Sequence, residues 1–141
     1  MRELHDNIDV KRGISPIAAT TDNTPYVSQI LDMQNLSSAE FIILCGALAD
    51  ADATFTVLAE EGEQPNLSDN TPVDDRDLLG TEIQASFDVS ADNKVFKLGF
   101  RPSGKRYKRV TITPANNGGN AFVAGVWITR PLLVPTPNPP V

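Results

Sequence analysis

Period-two alternation runs through most apolar stretches of the chain, and no stretch keeps a helical period. "TFTVLAEEG" (54–62) sets Phe55 and Val57 on one side of a strand, Thr54 and Thr56 on the other, and stops at a glycine. "KVFKLGFR" (94–101) separates Phe96, Leu98 and Phe100 from Val95, Lys97 and Arg101, the pattern of a half-buried strand. In "KRYKRVTITP" (105–114), Arg106 and Lys108 share a face with Val110 and Ile112 unless a bulge intervenes, while Tyr107, Arg109, Thr111 and Thr113 share the other. Two runs, "EFIILCGAL" (40–48) and "NAFVAGVWIT" (120–129), are apolar on both parities, as expected of strands covered on both faces or sitting at a subunit contact. Further strands are predicted in "YVSQILDMQ" (26–34) and, more weakly, in "EIQASFDV" (82–89).

Turn formers punctuate these runs. "SADN" (90–93) and "PSGK" (102–105) are short enough for hairpins, and "PANNGG" (114–119) reads as a longer flexible connection. The acidic "GEQPNLSDNTPVDDRDLLG" (62–80) is a long loop of the kind that is functional or mobile. The prediction is an all-β, single-domain antiparallel β-sandwich or jelly roll over residues 26–130. Residues 1–25 hold two prolines and little alternation, which predicts an extended arm outside the main sheet. Residues 131–141, from the stretch "RPLLVPTPNPPV" with its five prolines, predict an extended polyproline-like tail.

The chain has 141 residues, enough for one core that buries roughly two-thirds of the unfolded surface. Its single cysteine, Cys45, lies in an apolar run and predicts a buried inert thiol. The start "MRELHDNIDVKRG" lacks an apolar signal region and no stretch is long enough to span a bilayer, which predicts a soluble protein made in the cytoplasm, with no membrane partner. The net charge is −6, against a nucleic-acid partner. The charge is segregated: thirteen of eighteen acids lie between Glu40 and Asp92, and seven of twelve basic residues between Lys94 and Arg109. Opposite faces of opposite sign suit lattice-type association.

No catalytic or metal-binding pattern emerges. Asp50, Asp52, Thr54 and Glu61 fit positions 1, 3, 5 and 12 of a calcium loop, but Phe55 occupies the position that needs glycine. Asp50 and Asp52 are better read as caps of a turn. Asp69, Asp74, Asp75 and Asp77 read as a solvated acidic loop. His5 is the only histidine and has no nucleophile or ligand partner in sequence, so no enzyme activity and no cofactor are expected. "SGK" (103–105) lacks the frame of a phosphate loop. Lys105, Arg106, Lys108 and Arg109 form a cluster at the start of a strand, expected at the surface either as a solvated strand end or facing an acidic protein rather than phosphate.

"LHDNIDVKRGISPIAATTDNT" (4–24), "SQILDMQNLSSAEFIILCGALADADATFTVLAEEG" (28–62) and "LLGTEIQASFDVSADNKVFKLGFRPSGKRYKRVTITPANNGGNAFVAGVWI" (78–128) together resemble a family of small proteins from the head-gene region of tailed bacteriophages and prophages. The resemblance runs in order along nearly the whole chain to Ile128 and carries no catalytic signature; the proline-rich tail has no match in it. It implies a capsid decoration (cement) protein on the virion exterior, assembled in the host cytoplasm, bound to the major capsid protein and to itself as a homotrimer. On that implication the N-terminal arm and Lys105, Arg106, Lys108 and Arg109 are the expected capsid contacts. The alternatives are a head-completion or tail component, and a carbohydrate-binding adhesion module with Trp127 and Tyr107 as its stacking candidates.

Overall fold

A computed structural model describes residues 3–133, 135 and 136. The described residues form strands β1 (Asp9–Ile14), β2 (Tyr26–Val27), β3 (Leu31–Asp32), β4 (Leu36–Leu48), β5 (Thr54–Gly62), β6 (Thr71–Pro72), β7 (Leu78–Leu79), β8 (Phe87–Asp88), β9 (Val95–Phe100), β10 (Tyr107–Ala115) and β11 (Ala121–Pro131). One sheet runs β1-β11-β4-β9-β7. The other runs β2-β10-β5-β6, with β3 also on β10 and β8 also on β5. All pairings are antiparallel. Successive strands change sheets at nearly every connection, which interleaves the two sheets as in a jelly roll. The predicted all-β sandwich is therefore the observed fold.

The inward parities meet in one core. Phe41, Ile43, Leu98, Phe100 and Trp127 come from the five-stranded sheet and Phe55, Val57, Val110 and Ile112 from its partner, all buried. Trp127 lies edge-on to Phe41, with ring centroids 4.7 Å apart, and its indole N–H donates to the Gln29 carbonyl at 3.1 Å. Phe41 fits because β11 offers no side chain at Gly125: a Cβ there would stand 2.4 Å from its Cζ.

Several local expectations change. The segment read as an arm contributes β1, paired along β11 from Asp9↔Thr129 to Ile14↔Gly125 with one register shift, so the sheet begins at Asp9 rather than near residue 26. Asp9, Gly13 and Ile14 are buried there, and their spacing breaks strict alternation because of that shift, which hid the strand. "SADN" and "PSGK" are not hairpin turns: each carries the chain from one sheet to the other, since β8 and β10 lie in one sheet and β9 in the facing one. Residues 26–34 form two short strands rather than one, and residues 82–85 form a helical turn, α1 (Glu82–Ala85). Thr81 caps α1 and Gln84 bonds back to Thr81, forming a capping box where a strand was expected.

The long loop is pinned by β6, β7 and the 3-10 turn Asp75–Asp77. The 114–119 connection is tied down as well: Asn117 is buried and donates to the carbonyls of Thr20 and Asp22, and Gly118 N–H donates to Asp50 at 2.7 Å. Of the tail, Thr136 N–H donates to the Asp6 carbonyl and its hydroxyl to the Ile8 carbonyl; residues 134 and 137–141 lie outside the described residues.

Candidate functional site

The four expected contact residues sit where β10 enters the sandwich, and the chain itself supplies their partners. Register sets Lys108 opposite Glu61 and Arg109 opposite Glu60. On the inward parity, Lys108 is 1% exposed, and its ammonium bonds Glu61 Oε2 and donates to the Ser103 carbonyl at 3.1 Å. Glu61 Oε2 also accepts Lys105 N–H at 3.0 Å, and Ser103 Oγ donates to buried Asp77 at 2.5 Å. Gly104 closes this knot at φ +77°, where a Cβ would stand 2.5 Å from Glu61 Oε2.

On the outward parity, Arg109 chelates Glu60 with both contacts at 3.1 Å, and Thr111 Oγ1 adds a third at 2.7 Å. Burial works against ionisation of Glu60, yet the Arg109 and Thr111 bonds hold its carboxyl below the usual range. Arg106 grips Asp32 at 2.8 and 2.7 Å and lies 5.0 Å over the Tyr107 ring; that grip lowers the Asp32 carboxyl. Lys105 Nζ reaches Thr71 Oγ1 at 3.0 Å. The expectation that all four cations face a partner fails for Lys108, whose charge is buried with an internal carboxylate. Arg106 and Arg109 are held by carboxylates of β3 and β5.

Among the described residues, the outward face of the other sheet is left open. Strand registers place outward residues in rows across it. Val10, Ile128, Glu40, Gly99 and Leu79 form one row across β1, β11, β4, β9 and β7. The next is Arg12, Val126, Ile42 and Lys97, and the third is Ala124, Leu44 and Val95. Phe122 lies beside Gly46 at the end. Val95, Leu44, Phe122 and Leu79 are 59%, 53%, 45% and 44% exposed. Exposed apolar side chains clustered on one sheet face commonly mark a contact site. A shallow groove of about 420 Å³ runs between Val10 and Leu44 over Ala124 and Val126. Glu40 is the carboxylate of this face; burial pushes it up, with Lys97 opposing. The outward face of the second sheet is instead rich in threonine: Thr54, Thr56, Thr111 and Thr113.

The remaining candidates disperse. Burial pushes the Cys45 thiol up to about 11, away from nucleophilic chemistry. Trp127 is 1% exposed, which removes it as a stacking platform. Asp50 caps Asp52 N–H at 3.0 Å, as read, and Asp69 and Asp74 accept from nearby backbone N–H groups. Among the described residues no three His, Cys, Asp or Glu side chains gather as a metal site.

No protein-family model matches the chain, and no curated protein matches it. Among solved structures, a chain of the capsid of Ralstonia phage GP4 aligns at TM-score 0.51 and 12% identity, over 93% of this chain and 88% of that one. The SPBc2 prophage-derived protein YomS aligns at TM-score 0.44 and 12% identity, over 86% of this chain and 94% of that one. The CBM22-1–GH10 modules of Clostridium thermocellum xylanase 10B, solved with xylohexaose, align at 0.46 and 10% identity over 89% of this chain and 26% of that one. At such identities the capsid likeness is one of fold, and the two scores below 0.5 add nothing to it: the chain shares a jelly-roll-like sandwich with a phage capsid chain.

Proposed function

We propose that this chain is a bacteriophage virion structural protein, and within that class a decoration protein on the outside of the head. The carrying observation is a jelly-roll-like sandwich that leaves one sheet face open, with Leu44, Val95, Phe122 and Leu79 exposed on it beside Arg12, Glu40 and Lys97, a surface suited to a protein contact. The fold likeness to a chain of the Ralstonia phage GP4 capsid and the resemblance of residues 4–24, 28–62 and 78–128 to phage head-region proteins support the same reading. The role is mechanical rather than catalytic: many weak contacts, repeated over a lattice, add to a firm attachment. Trimers at local three-fold positions fit such attachment.

Counting copies in purified heads of the encoding phage tests this. A decoration protein appears in numbers comparable to the capsid subunits and on the outer surface by electron microscopy. A few copies at one vertex identify a head-completion or tail component, and absence from the particle overturns the virion role.

A further inference from the structure

We propose that the outward face of the five-stranded sheet is the docking surface, and that its occupant is a protein patch with an apolar centre and carboxylates at its two sides. Placing that patch on the capsid shell rests on the function proposed above.

The row Arg12, Val126, Ile42 and Lys97 fixes the chemistry. Two cations flank two branched aliphatic side chains, about 14 Å apart at three strand spacings. Arg12 donates to Ser15 Oγ at 2.8 Å, and neither Arg12 nor Lys97 forms an ion pair among the described residues. This inverts the expectation from sequence: Arg106, Lys108 and Arg109 are held in internal ion pairs, whereas Arg12 and Lys97 are exposed beside open apolar surface, Lys97 acting on Glu40 only at longer range. Leu44 and Val95 lie in the adjacent row and give the occupant its apolar centre.

Charge decides between occupants. A second copy laid face to face offers one carboxylate, Glu40, against Arg12 and Lys97, so the face repels itself more than it complements itself. Nucleic acid would leave the aliphatic rows in water. A carboxylate-flanked apolar patch satisfies both parts of the row at once.

The test uses heads that lack this chain, co-sedimented with the purified full chain. Three variants are compared: Leu44→Ser with Val95→Ser on the face, Arg12→Glu with Lys97→Glu at its sides, and Thr56→Ala with Thr113→Ala on the opposite sheet. All six positions lie on outward parities, and circular dichroism and melting confirm that each variant folds. The wild type and the threonine variant should bind alike, and the face variant should bind at least ~10-fold more weakly. The charge-reversed variant should also bind more weakly, with its deficit shrinking as salt rises.

If the wild type binds and the face and charge variants bind equally well, the docking surface is wrong while the function proposed above stands. If the wild type itself does not bind, that function fails and takes the capsid occupant with it. A face variant that loses self-association in sedimentation while keeping head binding makes a second copy the occupant and overturns the proposal.

Discussion

Lys108 carries its ammonium into the sandwich, and the fold tolerates this because β5 presents Glu61 directly opposite. Removing one member of a buried pair strands the other charge, whereas removing both removes the charges and leaves only the Lys105 N–H and the Ser103 carbonyl without their partners. Lys108→Met should therefore lower unfolding free energy by ~3–5 kcal/mol, read as a fall in the urea midpoint. Adding Glu61→Leu should recover part of the loss, the remainder being the unpaired Lys105 N–H and Ser103 carbonyl. A single substitution that costs under about 1 kcal/mol would place the pair with solvent-exposed ion pairs. Gly104→Ala in the same knot meets both a positive φ and Glu61 Oε2 at 2.5 Å, so it too should destabilise. Alternation in "KRYKRVTITP" put Lys108 on the Val110 side, but a strand's own pattern does not identify the strand beside it. The match between Lys108 and Glu61 lies 47 residues apart and was invisible locally.

At the scale of elements, β4, β5, β9, β10 and β11 were legible because each alternates or runs apolar for six residues or more. The corners were not, since a turn sequence states that the chain bends and not whether the next strand joins the same sheet. β1 was missed where its register shift disturbs alternation, and its place has a direct consequence. Amides across Asp9–Ile14 should exchange slowly with deuterium, at rates nearer those of β4 than of a free arm. Exchange at unstructured rates would return these residues to the arm first read from sequence. The adjoining contact is tight: Gly125→Ala drives a Cβ against Phe41 and should cost ~1–3 kcal/mol, seen as a lower melting temperature with the sheet content unchanged.

For the whole molecule, "EFIILCGAL" poses the remaining question, because its two apolar parities imply two covers and the described residues provide one. Glu40 reports on the second. Burial raises its carboxyl in the free chain, so the folded state holds a proton more tightly than the unfolded one, and this group's contribution to stability falls as pH rises from the ordinary glutamate range through the raised value. Asp32 and Glu60 act in the opposite sense: their lowered carboxyls contribute stability above the ordinary range, lost as pH falls through their folded values. A partner seated on the face removes more water from Glu40 and raises it further, so attachment takes up a proton there. Affinity for heads should then decline as pH rises between the free and attached values, by at most about tenfold per pH unit for one proton. Glu40→Gln should bind more tightly above that window and flatten the slope, measured by co-sedimentation across a pH series. A Gln variant that keeps the wild-type slope would mean that Glu40 stays hydrated in the complex and that the partner covers some other part of the molecule.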